Sequence, residues 1–247
     1  MKTNRPTLFL DSEMIKKLRK EVQRPWEKDE FWMFYVMRKF SIYISYPLVK
    51  KTDISPNALT IIGILLGLIS AASYMIGSPF SLLLGCLFYQ MCYFFDCIDG
   101  EVARLRKKSS KGGEWLDIGL NYAMALCNIA VVFGMFQSDS SFILGIILFA
   151  MFIITFSMIL SSEGALLVFH QSASTATVSM RKKNKWTDLF VFLFMTDIGF
   201  HCGILLFSWI WLFWGFKEPL LLWIVYYIFI SFMKAIYKLK ASIRYME

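Results

Sequence analysis

Three aspartates stand in a chain that is otherwise mostly apolar: Asp96 and Asp99 in "FFDCIDGEVARLR" and Asp117 in "GGEWLDIGLN". An ionisable side chain in or beside a membrane-crossing helix is costly unless something compensates it. Gathering three carboxylates adds mutual repulsion. Divalent cations relieve both problems. Donor sets made only of carboxylates suit Mg2+ or Mn2+, which keep coordination positions open for substrate phosphates. Two such ions about 3.5 to 4 Å apart can clamp a phosphoryl centre. The chemistry implied is phosphoryl transfer at a membrane surface.

The spacing says where such a ligand fits. If one helix continues through Arg104, Asp96 and Asp99 are i, i+3 neighbours, and Gly100 and Ala103 follow Asp96 at i+4 and i+7. One face then carries two hard oxygen ligands beside two residues with almost no side chain, leaving room for a flat or phosphate-bearing ligand. Beyond the basic loop, Gly113, Asp117 and Asn121 repeat at i, i+4 and i+8, again a single face. Facing the two stripes would gather the three aspartates at one end of a bundle. Arg104, Arg106, Lys107, Lys108 and Lys111 border that end, with Arg104 nearest the carboxylates; the others read first as charge that sets topology. An EF-hand is excluded, because the twelfth position from Asp96 is Lys107 and not glutamate.

The elements that must position these residues are helices in a bilayer. The chain has 247 residues, 57% hydrophobic and 17% aromatic, with mean hydropathy +0.55, too apolar for an ordinary soluble domain. Apolar runs near the ~20-residue length that crosses ~30 Å of hydrocarbon lie at 57–77, 80–99, 115–137, 141–168, 189–214 and 219–238. The expected fold is an all-α membrane protein with six transmembrane helices, although Asp197 and His201 interrupt the fifth run and allow a shifted boundary there. Basic residues support the count, since cytoplasmic loops collect Lys and Arg. With both termini and the aspartates inside, twenty-five of the twenty-six Lys and Arg fall on one side, and only Lys217 falls on the other. Topology and anionic lipid headgroups therefore account for the net charge of +8 without a nucleic-acid partner.

Two regions are expected: a cytoplasmic and interfacial segment, 1–52, and a membrane domain, 53–247. Within the first, Glu30 to Lys51 reads as an interfacial amphipathic helix ended by Pro47, with Arg38 and Lys39 turned to headgroups. Residues 1–29 read as a polar lead-in without the apolar core of a signal peptide. Cys86, Cys92, Cys97, Cys127 and Cys202 match no metal or disulfide spacing and read as packing residues.

The motif residues resemble the CDP-alcohol phosphotransferase family, which carries D-x-x-D-G-x-x-A-R, a spacer of about eight, then G-x-x-x-D-x-x-x-D. Asp96, Asp99, Gly100, Ala103, Arg104, Gly113 and Asp117 match; the eighth fixed position, Asn121, does not. "SPNALT" before the first span, the six-helix count and the interfacial helix extend the likeness. The resemblance implies a homodimeric integral membrane enzyme of phospholipid or related polar-lipid synthesis. Such an enzyme moves a substituted phosphate from a CDP-linked donor to an alcohol acceptor and releases CMP. It also implies two ions, Mg2+ or Mn2+, held by Asp96, Asp99 and Asp117, with Asp99, Gly100, Ala103, Arg104 and Gly113 along the cytidine diphosphate. A prokaryotic plasma membrane is the expected location.

Asn121 stands where the family has its proposed base, beside the candidate catalytic Asp117. Three readings stand: an engineered Asp-to-Asn variant, a branch in which another group takes the proton, or a homologue that binds nucleotide and metal without turnover. An ion-coupled transporter is a further class, since intramembrane carboxylates also build ion pathways. Glu163, Asp197 and His201 are candidates for an acceptor pocket, as is the cluster Arg181, Lys182, Lys183 and Lys185 for an acceptor phosphate. His170 reads as solvated. Trp209, Trp211 and Trp214 read as an aromatic belt.

Overall fold

The computed structural model describes residues 6–26, 29–108, 111–137 and 185–246. These residues are all-helical, with eight α-helices and one π-helical turn among them. Helix α1 is Glu13–Val22, a π turn at Met33–Met37 leads into α2, Arg38–Lys51, and α3 is Pro56–Met75. They are followed by α4, Pro79–Arg106, α5, Lys111–Gln137, α6, Lys185–Met195, α7, Asp197–Trp214, and α8, Glu218–Met246. The fourth predicted run, 141–168, lies outside the described residues.

Among the described residues, four helices are long and apolar enough to cross a membrane: α3, α4, Trp115–Met135 of α5, and α7. Helix α8 covers the sixth run over its 29 residues. The fifth run is not one helix. Thr196 ends α6 and caps α7, its Oγ1 accepting the Gly199 N–H at 3.1 Å and donating to the Phe192 carbonyl at 2.8 Å. A Cβ on Gly199 would stand 1.9 Å from that carbonyl oxygen, so glycine is what lets the two helix ends meet.

The starts of α3 and α4 follow from sequence. Ser55 Oγ accepts the Ala58 N–H at 3.1 Å, and Pro56 takes the first helical position, where a missing N–H costs nothing. Ser78 and Ser81 form a reciprocal capping box ahead of α4, with Pro79 in the same role. At 1.5 Å per residue α4 is about 42 Å long, which exceeds ~30 Å of hydrocarbon. Its charged residues, Asp96 to Arg106, all lie in the C-terminal part, so the surplus length belongs there.

Helix α3 lies between α4 and α5, which touch each other little, and α4 packs on its other sides against α2 and α7. The approach of α3 to its neighbours is close: a Cβ on Gly67 would lie 3.1 Å from Ala123 Cβ and 3.4 Å from Cys92 Sγ. The core at this junction includes Tyr74, Leu82, Tyr89, Cys92, Leu120, Cys127, Phe200 and Ile204. All five cysteines are free, and four are buried as packing residues.

The N-terminal segment departs from its sequence reading in three respects. Residues 1–29 are more than a lead-in, because α1 forms with Ser12 as its cap and buries Arg19 completely. Helix α2 runs through Pro47 to Lys51; Pro47 is on an exposed face, where a lost backbone hydrogen bond is made up by solvent or headgroups. Arg38 does not turn to headgroups. It is buried and ion-paired with Asp29, its partner nine residues earlier in the stretch expected to be a polar lead-in.

Arg19 holds Asp11 by two bonds, Nε to Oδ2 at 2.8 Å and Nη2 to Oδ1 at 3.0 Å, and Tyr43 Oη donates to Asp11 Oδ1 at 2.5 Å. Burial raises the Asp11 pKa, but the bonds from Arg19, Tyr43 and the Leu8 N–H outweigh it and hold the carboxyl below its ordinary value. A group whose folded pKa is depressed adds stability that is present above its unfolded value, near 3.9, and lost as pH falls through the folded one. The melting temperature of the detergent-solubilised protein should therefore drop as pH falls below about 4. Asp11→Asn should be less stable at neutral pH and show a flatter drop.

Candidate functional site

Asp96 and Asp99 are half-buried near the C-terminal end of α4, and Asp117 and Asn121 are exposed one turn apart on α5. Thr60, one turn into α3, donates its hydroxyl to Asp99 Oδ2 at 2.6 Å. The Ser55 and Pro56 helix start thus fixes the residue that orients Asp99. Asp96 and Asp99 both lie within electrostatic reach of Asp117. No basic side chain among the described residues is within ion-pair distance of any of the three. Asp96 and Asp99 on α4 thus face Asp117 only at electrostatic range, across the groove left where α4 and α5 touch little beside α3. They do not close into a cage: among the described residues no group of three His, Cys, Asp or Glu side chains is arranged to hold an ion. The donor set itself, three hard carboxylates with no basic side chain at ion-pair distance among the described residues, suits a divalent ion.

Gly100 and Ala103 are half-buried beside this groove. A Cβ on Gly100 would lie 3.3 Å from both Nη1 and Nη2 of Arg104, so the glycine makes room for the arginine's own fork. Arg104 Nε donates to the Val22 carbonyl at the end of α1. Gly113 is half-buried in the first turn of α5.

The rest of the basic run divides by role. Arg106 Nη2 donates to the Thr52 carbonyl at 2.6 Å, tying the α2 to α3 connection to α4. Lys107 adopts the left-handed conformation, φ 52° and ψ 38°, and ends α4, while the Lys108 N–H returns to the Ala103 carbonyl at 3.0 Å. Lys111 opens α5.

Sequence reasoning missed Glu101. It sits at an unspecified position of the motif, has no solvent exposure, and faces away from the groove toward α1 and α2. Its Oε1 accepts from Ser41 at 2.5 Å and from Gln23 at 2.8 Å, and its Oε2 accepts from Ser45 at 2.7 Å. Arg38 Nη1 stands 3.9 Å away. The available signal was Ser41 and Ser45, a polar i, i+4 pair on an otherwise aromatic helix.

The acceptor-pocket candidates separate. His201 is fully buried, with Tyr74 Oη 2.7 Å from Nδ1 and Asn128 Oδ1 3.0 Å from Nε2. Asn128 Oδ1 is an acceptor, so Nε2 carries the proton and Nδ1 accepts from Tyr74. Both ring nitrogens are satisfied within the core. Asp197 is exposed at the start of α7 and accepts from Tyr227 Oη. Of the three tryptophans expected to form a belt, Trp209 and Trp214 are exposed along α7, while Trp211 is half-buried against the core. Lys185 opens α6, and Glu163, His170, Arg181, Lys182 and Lys183 lie outside the described residues.

The described residues form an all-helical bundle with apolar candidate spans and carboxylates near the end of α4, and comparison with known proteins gives the class. The sequence model of the CDP-alcohol phosphatidyltransferase family matches residues 53–216, and the chain belongs to that family. It is 35% identical over 108 residues to a "Bifunctional IPC transferase and DIPP synthase" of Thermococcus kodakarensis, covering 42% of this chain and 24% of that protein. Proteins of the same description match from Archaeoglobus fulgidus, 36% identical over 104 residues covering 42% and 20%, and from Aquifex aeolicus, 42% identical over 80 residues covering 32% and 17%. The chain thus matches about a quarter or less of the length of these curated relatives.

The hydrogen-bonded interior of His201 generates a test of its role. His201→Phe should orphan Asn128 Oδ1 and leave Tyr74 Oη with only the weak acceptor Cys86 Sγ at 3.2 Å, at a cost of about 1 to 3 kcal/mol for the buried group left unpaired. Thermal melting should register that loss while the affinity for CDP stays unchanged. A selective loss of CDP or acceptor affinity would return His201 to the site.

Proposed function

We propose that the chain transfers a substituted phosphate from a CDP-linked donor to an alcohol acceptor and releases CMP, in the synthesis of a phospholipid or related polar lipid. The observation that carries this reading is the groove between α4 and α5. Asp96, Asp99 and Asp117 stand within electrostatic reach of one another there, with no basic side chain among the described residues at ion-pair distance, beside Gly100, Ala103 and Arg104, in a chain of the CDP-alcohol phosphatidyltransferase family. Asp96, Asp99 and Asp117 are the residues to hold two Mg2+ or Mn2+ ions, which would neutralise diphosphate charge and polarise the phosphoryl group. Gly100, Ala103 and Gly113 leave space for the cytidine diphosphate, Asp99 is oriented by Thr60, and Arg104 supplies donors to the phosphates. The enzyme is proposed to be a homodimer with six spans, both termini and the groove facing the cytoplasm, in a prokaryotic plasma membrane. The α4 surplus length and the one-sided Lys and Arg support that orientation. The acceptors to try first are those of the activities for which the relatives are named.

The acceptor hydroxyl must lose a proton during transfer. Asn121 can hydrogen-bond that hydroxyl but cannot take its proton at neutral pH, and the exposed carboxylate one turn away, Asp117, is the nearest alternative on α5. This specific feature favours a second reading: a site that binds nucleotide and cation with weak or no turnover, as an engineered or silent Asp-to-Asn form would.

Two measurements test the function. CDP should raise the melting temperature of the purified protein only when Mg2+ or Mn2+ is present, and CMP release should require the same ions. Equal stabilisation by CDP in EDTA would remove the metal reading, and ion-coupled flux in vesicles without CMP release would favour the transporter class.

The second measurement concerns Asn121→Asp. Restoring a carboxylate on the groove-facing stripe of α5 should raise CMP release on the order of 10² to 10⁴-fold, the usual worth of a positioned general base, with donor affinity changed much less. Robust turnover by the Asn form and none by the Asp form would show that another group takes the proton in a branch adapted to asparagine.

A further inference from the structure

The segment ahead of residue 53 lies outside the stretch that the family model matches, yet it reaches the motif helix from behind. The last carbonyls of a helix lack donors within the helix and carry its negative dipole end. Helix α1 ends at Val22, and the Val22 carbonyl takes the Nε–H of Arg104. With Nε engaged, the two terminal nitrogens of Arg104 have no partner among the described residues and lie along Gly100, which helical spacing puts one turn from Asp96 on the same face.

The position of Val22 is itself fixed by buried polar bonds. Gln23, the next residue, returns its N–H to the Arg19 carbonyl at 3.1 Å. Its side-chain amide stands 2.8 Å from Glu101 Oε1 and 2.7 Å from the Arg38 carbonyl, and its Oε1 accepts from Arg19 Nη1 at 3.2 Å. Arg19 also donates to the carbonyls of Arg38 and Lys39 at 2.7 and 2.8 Å, so α1 cannot slide along α2 without breaking charge-assisted bonds. Glu101 lies one residue after Gly100 and three before Arg104 on α4, the same surface to which Arg104 reaches back.

We propose that Gln23 and Glu101 are positioning residues of the nucleotide site, acting by holding the end of α1 where the Val22 carbonyl aims Arg104 at the phosphates of the CDP moiety. This rests on the reading of Arg104 as a nucleotide contact. A merely structural role for Gln23 would change stability without interacting with Arg104 in ligand affinity. A positioning role makes the two inseparable.

The test is a double-mutant cycle in CDP affinity, measured by titration calorimetry with Mn2+ on the full chain in detergent. Gln23→Leu should weaken CDP binding on the order of tenfold, the scale of one hydrogen bond to a charged group. Arg104→Ala should weaken it at least as much, and the double variant should be no weaker than Arg104→Ala alone. Arg104→Lys keeps the charge but lacks the Nε–H and the fork, so it should be equally insensitive to Gln23→Leu. Because Gln23→Leu removes several buried bonds, Ser45→Ala provides a milder arm that takes one donor from Glu101 and leaves α1 in place. It should show the same coupling at smaller size. Additive losses in the cycle, with either variant, would overturn the positioning role while leaving Arg104 in the site. Unchanged CDP affinity in Arg104→Ala would instead overturn the nucleotide contact on which the inference rests.

Discussion

A carboxylate with no solvent exposure needs donors on every side, because an unpaired buried charge costs far more than the folding margin of a domain allows. Glu101 is such a group, and its requirement organises the cytoplasm-facing end proposed for the bundle. Gln23, Ser41 and Ser45 come from two elements far from it in sequence, and Arg38 adds the nearest positive charge. Meeting those bonds folds α1 and α2 onto α4. It also sets the rotation of α4: at about 100° per residue, Asp96 and Asp99 point roughly 140° and 160° away from Glu101, on opposite hands. Burying the one carboxylate against the N-terminal segment turns the other two toward the groove.

The other side of α4 is governed by how near α3 can come. Gly67 and its small neighbours Cys92 and Ala123 bring α3 into contact with both α4 and α5. The same helix delivers Thr60 to Asp99. An apolar span therefore also serves as the spacer that decides how far apart the two carboxylate-bearing helices stand. A bulkier α3 would widen the groove, and a missing Thr60 would leave Asp99 free to rotate away from it.

The sequence displayed the parts of this arrangement that depend on local periodicity. Asp96, Asp99, Gly100 and Ala103 on one face, and the serine and proline start of α3, follow from helical spacing and capping chemistry. The break at Thr196 was only half legible: Asp197 disturbed the apolar run, but the cap depends on Gly199 admitting the Phe192 carbonyl, a contact that forms only when two helices fold back. Glu101 and Arg38 were illegible because their partners lie elsewhere in the chain, Gln23, Ser41 and Ser45 for the first and Asp29 for the second. Arg38 looked like a headgroup ligand because nothing beside it in sequence promised a buried anion. Hydropathy reports how costly a buried charge is. It does not report which distant residue compensates it.

The proposed chemistry separates along the same structural division. The residues that would bind donor and cation, Asp96, Asp99, Gly100 and Arg104, are on α4, where Thr60, Val22 and the Glu101 network hold the helix and its side chains from both sides. The residue where the family places its base, Asn121, is on the exposed face of α5, one turn from Asp117 and with none of that support. An amide there keeps hydrogen-bonding capacity for an acceptor hydroxyl while lowering the negative charge of the groove by one. Fewer negative charges favour holding an anionic diphosphate, and loss of the carboxylate disfavours taking the proton. Binding and proton removal are thus set by different helices, so a change at Asn121 can alter turnover while the α4 face retains its affinity.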